Sequence, residues 1–271
     1  ADDLRYNPQA VRHGQRSIQL CNKGIYEKER QKSCQLKPLC IGHANGKTSE
    51  RGDGGVVLMI KTSRQLKDKV RNMARGDSAK AQLLIRNYGM ERFLERVSLS
   101  EHRDNFILKG GMLVSALVGL ENRATMDIDT SIRNMPLDTI AAKAMVEEII
   151  AVPVDDNIRF EINDFGTIMD DAEYSGVRIS LNAFLDATRI PLKIDISTGD
   201  AITPAAVNYQ YKLMFEERYI TLWAYNLETV LAEKIETVLS RSVLNTRLRD
   251  FYDLYVLQDA GLEIDKATLA A

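Results

Sequence analysis

The stretch FILKGGMLVSALVGLENRATMDIDTSI, residues 106–132, holds in order an apolar tetrapeptide, a Gly-Gly turn, a helical run and two aspartates one residue apart. The tetrapeptide reads as a short buried strand and residues 111–120 as the helix that follows it. Gly110 and Gly111 let the backbone approach a ligand closely. The helix start behind them offers unpaired N–H groups and a positive dipole end to phosphate. A plain strand-to-helix turn would use the same two glycines. MDIDTSI reads as a second strand, on which alternate residues share a face at a spacing of about 7 Å. Asp127 and Asp129 would then point to one side and Ile128 to the core. Two such carboxylates repel unless a cation neutralises them, and Mg²⁺ takes one or two carboxylates together with phosphate oxygens. A solvated strand edge is the alternative reading.

Outward from this stretch the periodicity predicts helices over 62–74 and 78–97, with Gly76, Asp77 and Ser78 as a break and N-cap signal. Downstream, Pro136 opens a helix that runs through Ile150. Strands follow at 158–164, 177–185 and 190–197, and helices over 226–240 and 245–259 close the chain. No internal repeat is visible. The order predicts an α+β fold with a mixed β-sheet core and a helical C-terminal half. The sheet-containing lobe would cover about 59–200 and the helical lobe about 201–271.

Two predicted strands carry a polar face. PLKIDIS sets Leu192, Ile194 and Ile196 on one side and Lys193, Asp195 and Ser197 on the other, and VRISLN gives Arg178, Ser180 and Asn182 a similar placement. A half-buried sheet needs solvent or a ligand over that second face. Asp195 is therefore the candidate third carboxylate, able to ligate metal or to take a proton from an attacking hydroxyl. In LETVLAEKIETVLS the helical wheel groups Leu227, Val230, Leu231, Ile235 and Val238 in one stripe. Lys234 falls inside it, while Glu233 and Glu236 face away. An ammonium there calls for a triphosphate or a site carboxylate, unless it snorkels to solvent. In NTRLRDFYDLY, Arg247, Asp250 and Asp253 share one side of a helix and Leu248, Tyr252 and Tyr255 the other. The charged side is either functional or a salt-bridged surface.

The 271 residues, 45% hydrophobic and 27% charged, suffice for a sizeable core. A net charge of −2 excludes blanket attraction to nucleic acid but allows a local basic patch. No run of eighteen apolar residues and no signal-like N-terminus occurs, so no membrane association is expected and the expected setting is cytoplasmic. All three cysteines, Cys21, Cys34 and Cys40, fall early in the chain, and an odd count argues against a disulfide framework. With His43 they could close a zinc site, although the usual C-x2-C knuckle is missing. Residues 1–58 lack periodic apolar pattern. They read either as an N-terminal extension, disordered or a leader, ahead of a domain over 59–271, or as a small irregular subdomain.

Taken together, LKGGML, RATMDIDTSI, PLKIDIST, LAEKIETVLS and TRLRDFYDLY resemble, in that order, the successive motifs of AbiEii/AbiGii-type abortive-infection toxins. These are nucleotidyltransferases similar to DNA polymerase β. The likeness spans about Met59 to the C-terminus. The resemblance implies an enzyme with Gly110 and Gly111 in a nucleotide-binding turn, and with Lys109, Thr125 and Arg247 as further nucleotide contacts. It implies Asp127 and Asp129 as metal carboxylates, Asp195 as the acidic residue of the next motif, and Lys234 and Asp250 in the two C-terminal motifs. It also implies Mg²⁺ as cofactor, an NTP as donor substrate, an RNA acceptor such as the tRNA 3′ end, a cognate antitoxin partner and a role in phage defence. Met112 departs from the pattern, which places serine or threonine there, so backbone amides alone would hold the phosphate at that point.

Two other readings stand beside this one. DIDTS superficially matches the D-x-D-x-T motif of haloacid-dehalogenase-like phosphatases, but that motif needs an apolar strand directly before it, and here Asn122, Arg123, Ala124 and Thr125 precede. A catalytically inactive protein that keeps the fold to bind a nucleotide or a partner would show no metal-dependent NTP consumption.

Overall fold

The computed structural model describes residues 59–135, 138–168, 176–241 and 248–270. The expectations for residues 1–58, including the Cys/His zinc set, and those for Pro136 and Arg247 lie outside the described residues.

Two helices come first. α1 (Ser63–Ala74) starts at a capping box, where the Thr62 hydroxyl accepts from the Gln65 N–H and the Gln65 side chain accepts from the Thr62 N–H. α2 (Ser78–Leu99) starts where the sequence signals it, with the Asp77 side chain accepting from the Lys80 N–H. From Asn87 to Val97 every residue of α2 is buried. A helix enclosed on all sides must neutralise its charges internally. Arg92 meets Glu216, and Arg96 meets Asp156 through both terminal nitrogens at 2.8 and 2.9 Å.

After a 3₁₀ turn, β1 (Phe106–Lys109) runs directly into α3 (Gly110–Val118), and β2 (Ile128–Ile132) follows. α4 (Thr139–Ala151) is capped by Asp138. A meander then forms from β3 (Ile158–Ile168), β4 (Gly176–Leu185) and β5 (Thr188–Thr198). The predicted alternation holds: Ile190, Leu192, Ile194 and Ile196 are buried on one face of β5, and Val177, Ile179, Leu181 and Ala183 on one face of β4.

A hairpin the periodicity did not assign, β6 (Val207–Lys212) with β7 (Tyr219–Ala224), comes next, before α5 (Leu227–Arg241), α6 (Leu248–Asp259) and the single-turn α7 (Lys266–Ala270). The seven strands form one mixed sheet in the order β3-β4-β5-β2-β1-β7-β6, with β2–β5 and β1–β7 parallel and the other pairs antiparallel. The sheet thus extends past residue 200, because β7 docks beside β1. Its strands were missed because they carry short polar and aromatic stretches, VNYQYK and YITLWA, with no run of buried apolar residues.

Candidate active site

Three strand pairings assemble the site. The β1–β2 register sets Lys109 opposite Asp129, the β2–β5 register sets Asp129 beside Asp195, and the β4–β5 register sets Asp195 beside Arg178. Paired residues share a sheet face. One row therefore crosses four strands with the charges plus, minus, minus, plus. Asp127 lies one residue before β2 starts, half-buried, rather than within the strand as expected. The segment ahead of β2 forms no strand, so the context required by a dehalogenase-like phosphatase motif is missing.

Asp129 sits against the glycine turn. Its Oδ2 accepts from the Gly111 N–H at 3.1 Å. Burial pushes its carboxyl up to about 6. The neighbouring charges of Asp195 and Asp127 add to the rise, while the Gly111 bond and Lys109 oppose it. Gly110 adopts φ +63°, and a Cβ there would lie 2.1 Å from Asp129 Oδ2. A Cβ on Gly111 would meet Thr125 Oγ1 at 2.8 Å and Arg123 Nη2 at 3.0 Å. Both glycines are thus required by close approach, and at Gly110 by backbone conformation as well. Thr125 is buried, with its hydroxyl donating to the Asp127 carbonyl at 3.3 Å. Met112 is fully buried in the core, which leaves the turn without a hydroxyl at that position.

The cations are held by carboxylates that the sequence reading did not connect with them. Lys109 Nζ donates to Asp200 Oδ2 at 2.8 Å and to Glu233 Oε1 at 3.0 Å, and lies 5.5 Å from the Tyr225 ring centre. Glu233, expected to face away, therefore faces the site. The wheel treated α5 as packing on one apolar stripe, whereas Ile235 of that stripe is 38% exposed. Asp200 Oδ2 also accepts from Ser197 Oγ at 2.7 Å and from Tyr225 Oη at 2.6 Å. Burial opposes the charge on Asp200, but the bond from Lys109, with that from Tyr225, holds its carboxyl below the usual range.

Lys234 finds the carboxylate that its position demanded, and finds it twice. Its Nζ lies 2.8 Å from Asp250 Oδ1 and 3.1 Å from Asp253 Oδ2. Burial works to lower its pKa, but the bond to Asp250 and the Asp253 charge prevail and raise it. Asp253, fully buried, is shared with Arg123, whose Nε donates to Oδ1 at 2.5 Å. Asp250 and Asp253 thus lie inside the fold and are not part of a solvated surface. Arg123, Asp200, Glu233 and Tyr225 are the site-lining residues that the sequence did not single out. Of these only Asp200, directly after the STG turn, sits beside a motif that could have signalled it.

Among the described residues no three His, Cys, Asp or Glu side chains converge on a point that could hold a metal ion. Asp127 and Asp129 together offer two carboxylates, the number that Mg²⁺ takes beside phosphate oxygens. The strained closeness of like charges around Asp129 suits a divalent cation, so these residues fit the group that the motifs imply.

No curated protein matches this sequence. Solved structures similar to it include JHP933 from Helicobacter pylori, at 18% identity and a TM-score of 0.44 over 66% of each chain. Another is a putative nucleotidyltransferase from H. pylori, at 19% identity and 0.42, covering 63% of this chain and 65% of that one. A third is an antigenic nucleotidyltransferase-like protein from Paracoccidioides brasiliensis, at 14% and 0.36, covering 72% and 76%. The chain spans about two thirds of the length of the two H. pylori proteins. Residues 92–271, which contain every motif from the glycine turn to α6, match the family described as nucleotidyl transferase AbiEii toxin of type IV toxin–antitoxin systems, and the chain belongs to that family.

Proposed function

We propose that the protein transfers a nucleotide from an NTP to an RNA acceptor such as the tRNA 3′ end, in a Mg²⁺-dependent reaction, as the toxin of a pair restrained by an antitoxin and serving phage defence in the cytoplasm. Among the described residues no helix is long and apolar enough to cross a membrane. The observation that carries the reading is the meeting of Asp129 with the N-terminus of α3 through the Gly111 N–H, which puts a metal-suited carboxylate and an anion-binding turn at one point.

In this reading the Gly110–Gly111 turn holds phosphate oxygens with backbone N–H groups, and Asp127 and Asp129 would hold the cation. A bound divalent cation would supply neutralising charge to the triphosphate and to the departing pyrophosphate. The acceptor hydroxyl oxygen forms a bond to the α-phosphorus as the bond to the β-phosphate oxygen breaks, and its proton passes to water. Asp195, with both oxygens accepting from Arg178, contributes charge and orientation in place of the base role that its sequence position suggested. Lys234 and Asp250 brace α5 against α6 behind the nucleotide, and Lys109, Thr125 and Arg247 flank it. Most of the rate enhancement comes from positioning and charge.

The test is Mg²⁺-dependent incorporation of α-labelled NTP into total RNA by wild type and by Asp127→Asn and Asp129→Asn, with thermal melts to verify folding. Each folded variant should lose transfer by a factor on the order of 10² or more, since metal charge stabilisation is worth several kcal/mol. Folded variants as fast as wild type would reject the site. If wild type consumes no NTP and the growth defect on expression is equal with and without Asp127→Asn, the binding-only alternative stands instead.

A further inference from the structure

The charged row holds three carboxylates, Asp127, Asp129 and Asp195, and they are not equivalent. Asp195 is gripped by a fork: Arg178 Nε donates to one oxygen at 2.7 Å and Nη2 to the other at 2.6 Å. A guanidinium keeps its charge at any physiological pH, and its planar pair of donors matches a carboxylate in a way that a point charge does not. Asp129, one strand over, has a single backbone N–H on Oδ2 and lies among like charges. Lys109, at the far end of the row, directs its ammonium to Asp200 and Glu233.

We infer that Arg178 takes the place of a second metal ion: by engaging both oxygens of Asp195 it limits the site to one divalent cation, bound by Asp127 and Asp129. The charge balance supports this. Three carboxylates carry −3, Arg178 supplies +1 and one divalent cation +2, which sums to zero. A second divalent cation would leave the row with an excess of +2 and would have to displace the fork. Without Arg178 the balance with one cation is −1, and Asp195 is freed beside Asp129. Adjacent strands lie about 4.8 Å apart, a separation across which two carboxylates can serve a pair of ions about 4 Å apart. Arg178 is thus a positioning residue that sets metal stoichiometry. Its side chain is 46% exposed, so its replacement does not open a core cavity.

This inference rests on the site reading above, and the experiment separates the two. The full chain is titrated with Mn²⁺ alone, and bound metal is read from the loss of the free-ion paramagnetic resonance signal, with no nucleotide and no turnover. Wild type should bind one equivalent, Arg178→Gln two, and the charge-neutral pair Arg178→Gln/Asp195→Asn one again, with an affinity within about threefold of wild type. Two equivalents in wild type, or one in a folded Arg178→Gln, overturns the inference. So does loss of binding in the double variant, because Asp195 would then be a ligand. If the Arg178→Gln single variant does not fold, the double variant, which removes both partners, still decides the matter. A single wild-type equivalent unaffected by Asp127→Asn overturns the site reading itself, and the inference with it.

Discussion

At the scale of single residues, Gly110 is the position where chemistry and backbone meet most closely. Its φ of +63° is left-handed, a conformation that costs a side-chain-bearing residue about 1–2 kcal/mol. A Cβ would also press on Asp129 Oδ2 from 2.1 Å. Gly110→Ala should therefore lower the melting temperature by several degrees. It should lower nucleotide transfer by about a hundredfold, as a displacement of roughly 1 Å at a reacting centre does. Transfer at the wild-type rate by Gly110→Ala would mean that Asp129 can move without consequence. Serine restored at Met112 is not expected to help. That side chain is buried in the core, and a hydroxyl there would lack a partner.

At the scale of elements, the contact between α5 and α6 depends on buried charge. Lys234 meets Asp250 and Asp253, and Asp253 also takes Arg123 from the segment ahead of β2. Two positive and two negative groups cancel within this cluster. Removing one partner leaves a buried charge uncompensated, at a cost of about 3–5 kcal/mol. Lys234→Met should accordingly melt well below wild type, and its NTP affinity should be measured only at temperatures where it is folded. The discriminating outcome is a Lys234→Met protein that melts like wild type, which would show that the lysine does not brace the two helices. The wheel that located Lys234 was informative because a lysine among apolar neighbours implied an anion. It could not name the anion, since the answer lay on a helix outside the wheel.

At the scale of the whole molecule, α2 is the axis on which the sheet is built, and it carries a carboxyl that disfavours charge. Glu91 accepts from the Met214 N–H with both oxygens at 3.1 Å and from Asn87 Nδ2 at 2.9 Å, yet burial pushes its pKa from 4.5 to about 8. A pKa raised on folding means that the unfolded chain releases this proton first. Stability should fall as pH rises from about 4.5 to about 8, at up to ~1.4 kcal/mol per pH unit, and level off above. Glu91→Gln should remove that slope and melt higher than wild type at pH 8 than at pH 5. Denaturant unfolding across that range checks it, and an unchanged slope would assign the effect elsewhere. The packing of Ile60, and the bond from the Tyr88 hydroxyl to its carbonyl, support a domain boundary near Met59. A chain starting at Met59 should unfold cooperatively, and insolubility would place residues 1–58 inside the domain.

What the sequence determined by itself was everything that repeats over a few residues. The alternation of PLKIDIS and VRISLN, the caps at Asp77 and before α1, the Gly-Gly turn and the anomalous Lys234 are all local. Their physical causes, pleat, helical pitch, left-handed φ and burial, act within one or two turns of chain. The tertiary structure alone decided how these pieces meet. Register brought Lys109, Asp129, Asp195 and Arg178 into one row, β7 was placed beside β1, and Glu233 was turned to Lys109. Pairings between strands tens of residues apart leave no period in the chain. They are selected by the burial of the whole sheet, so the clamp on Asp195 could be seen only once β4 lay beside β5.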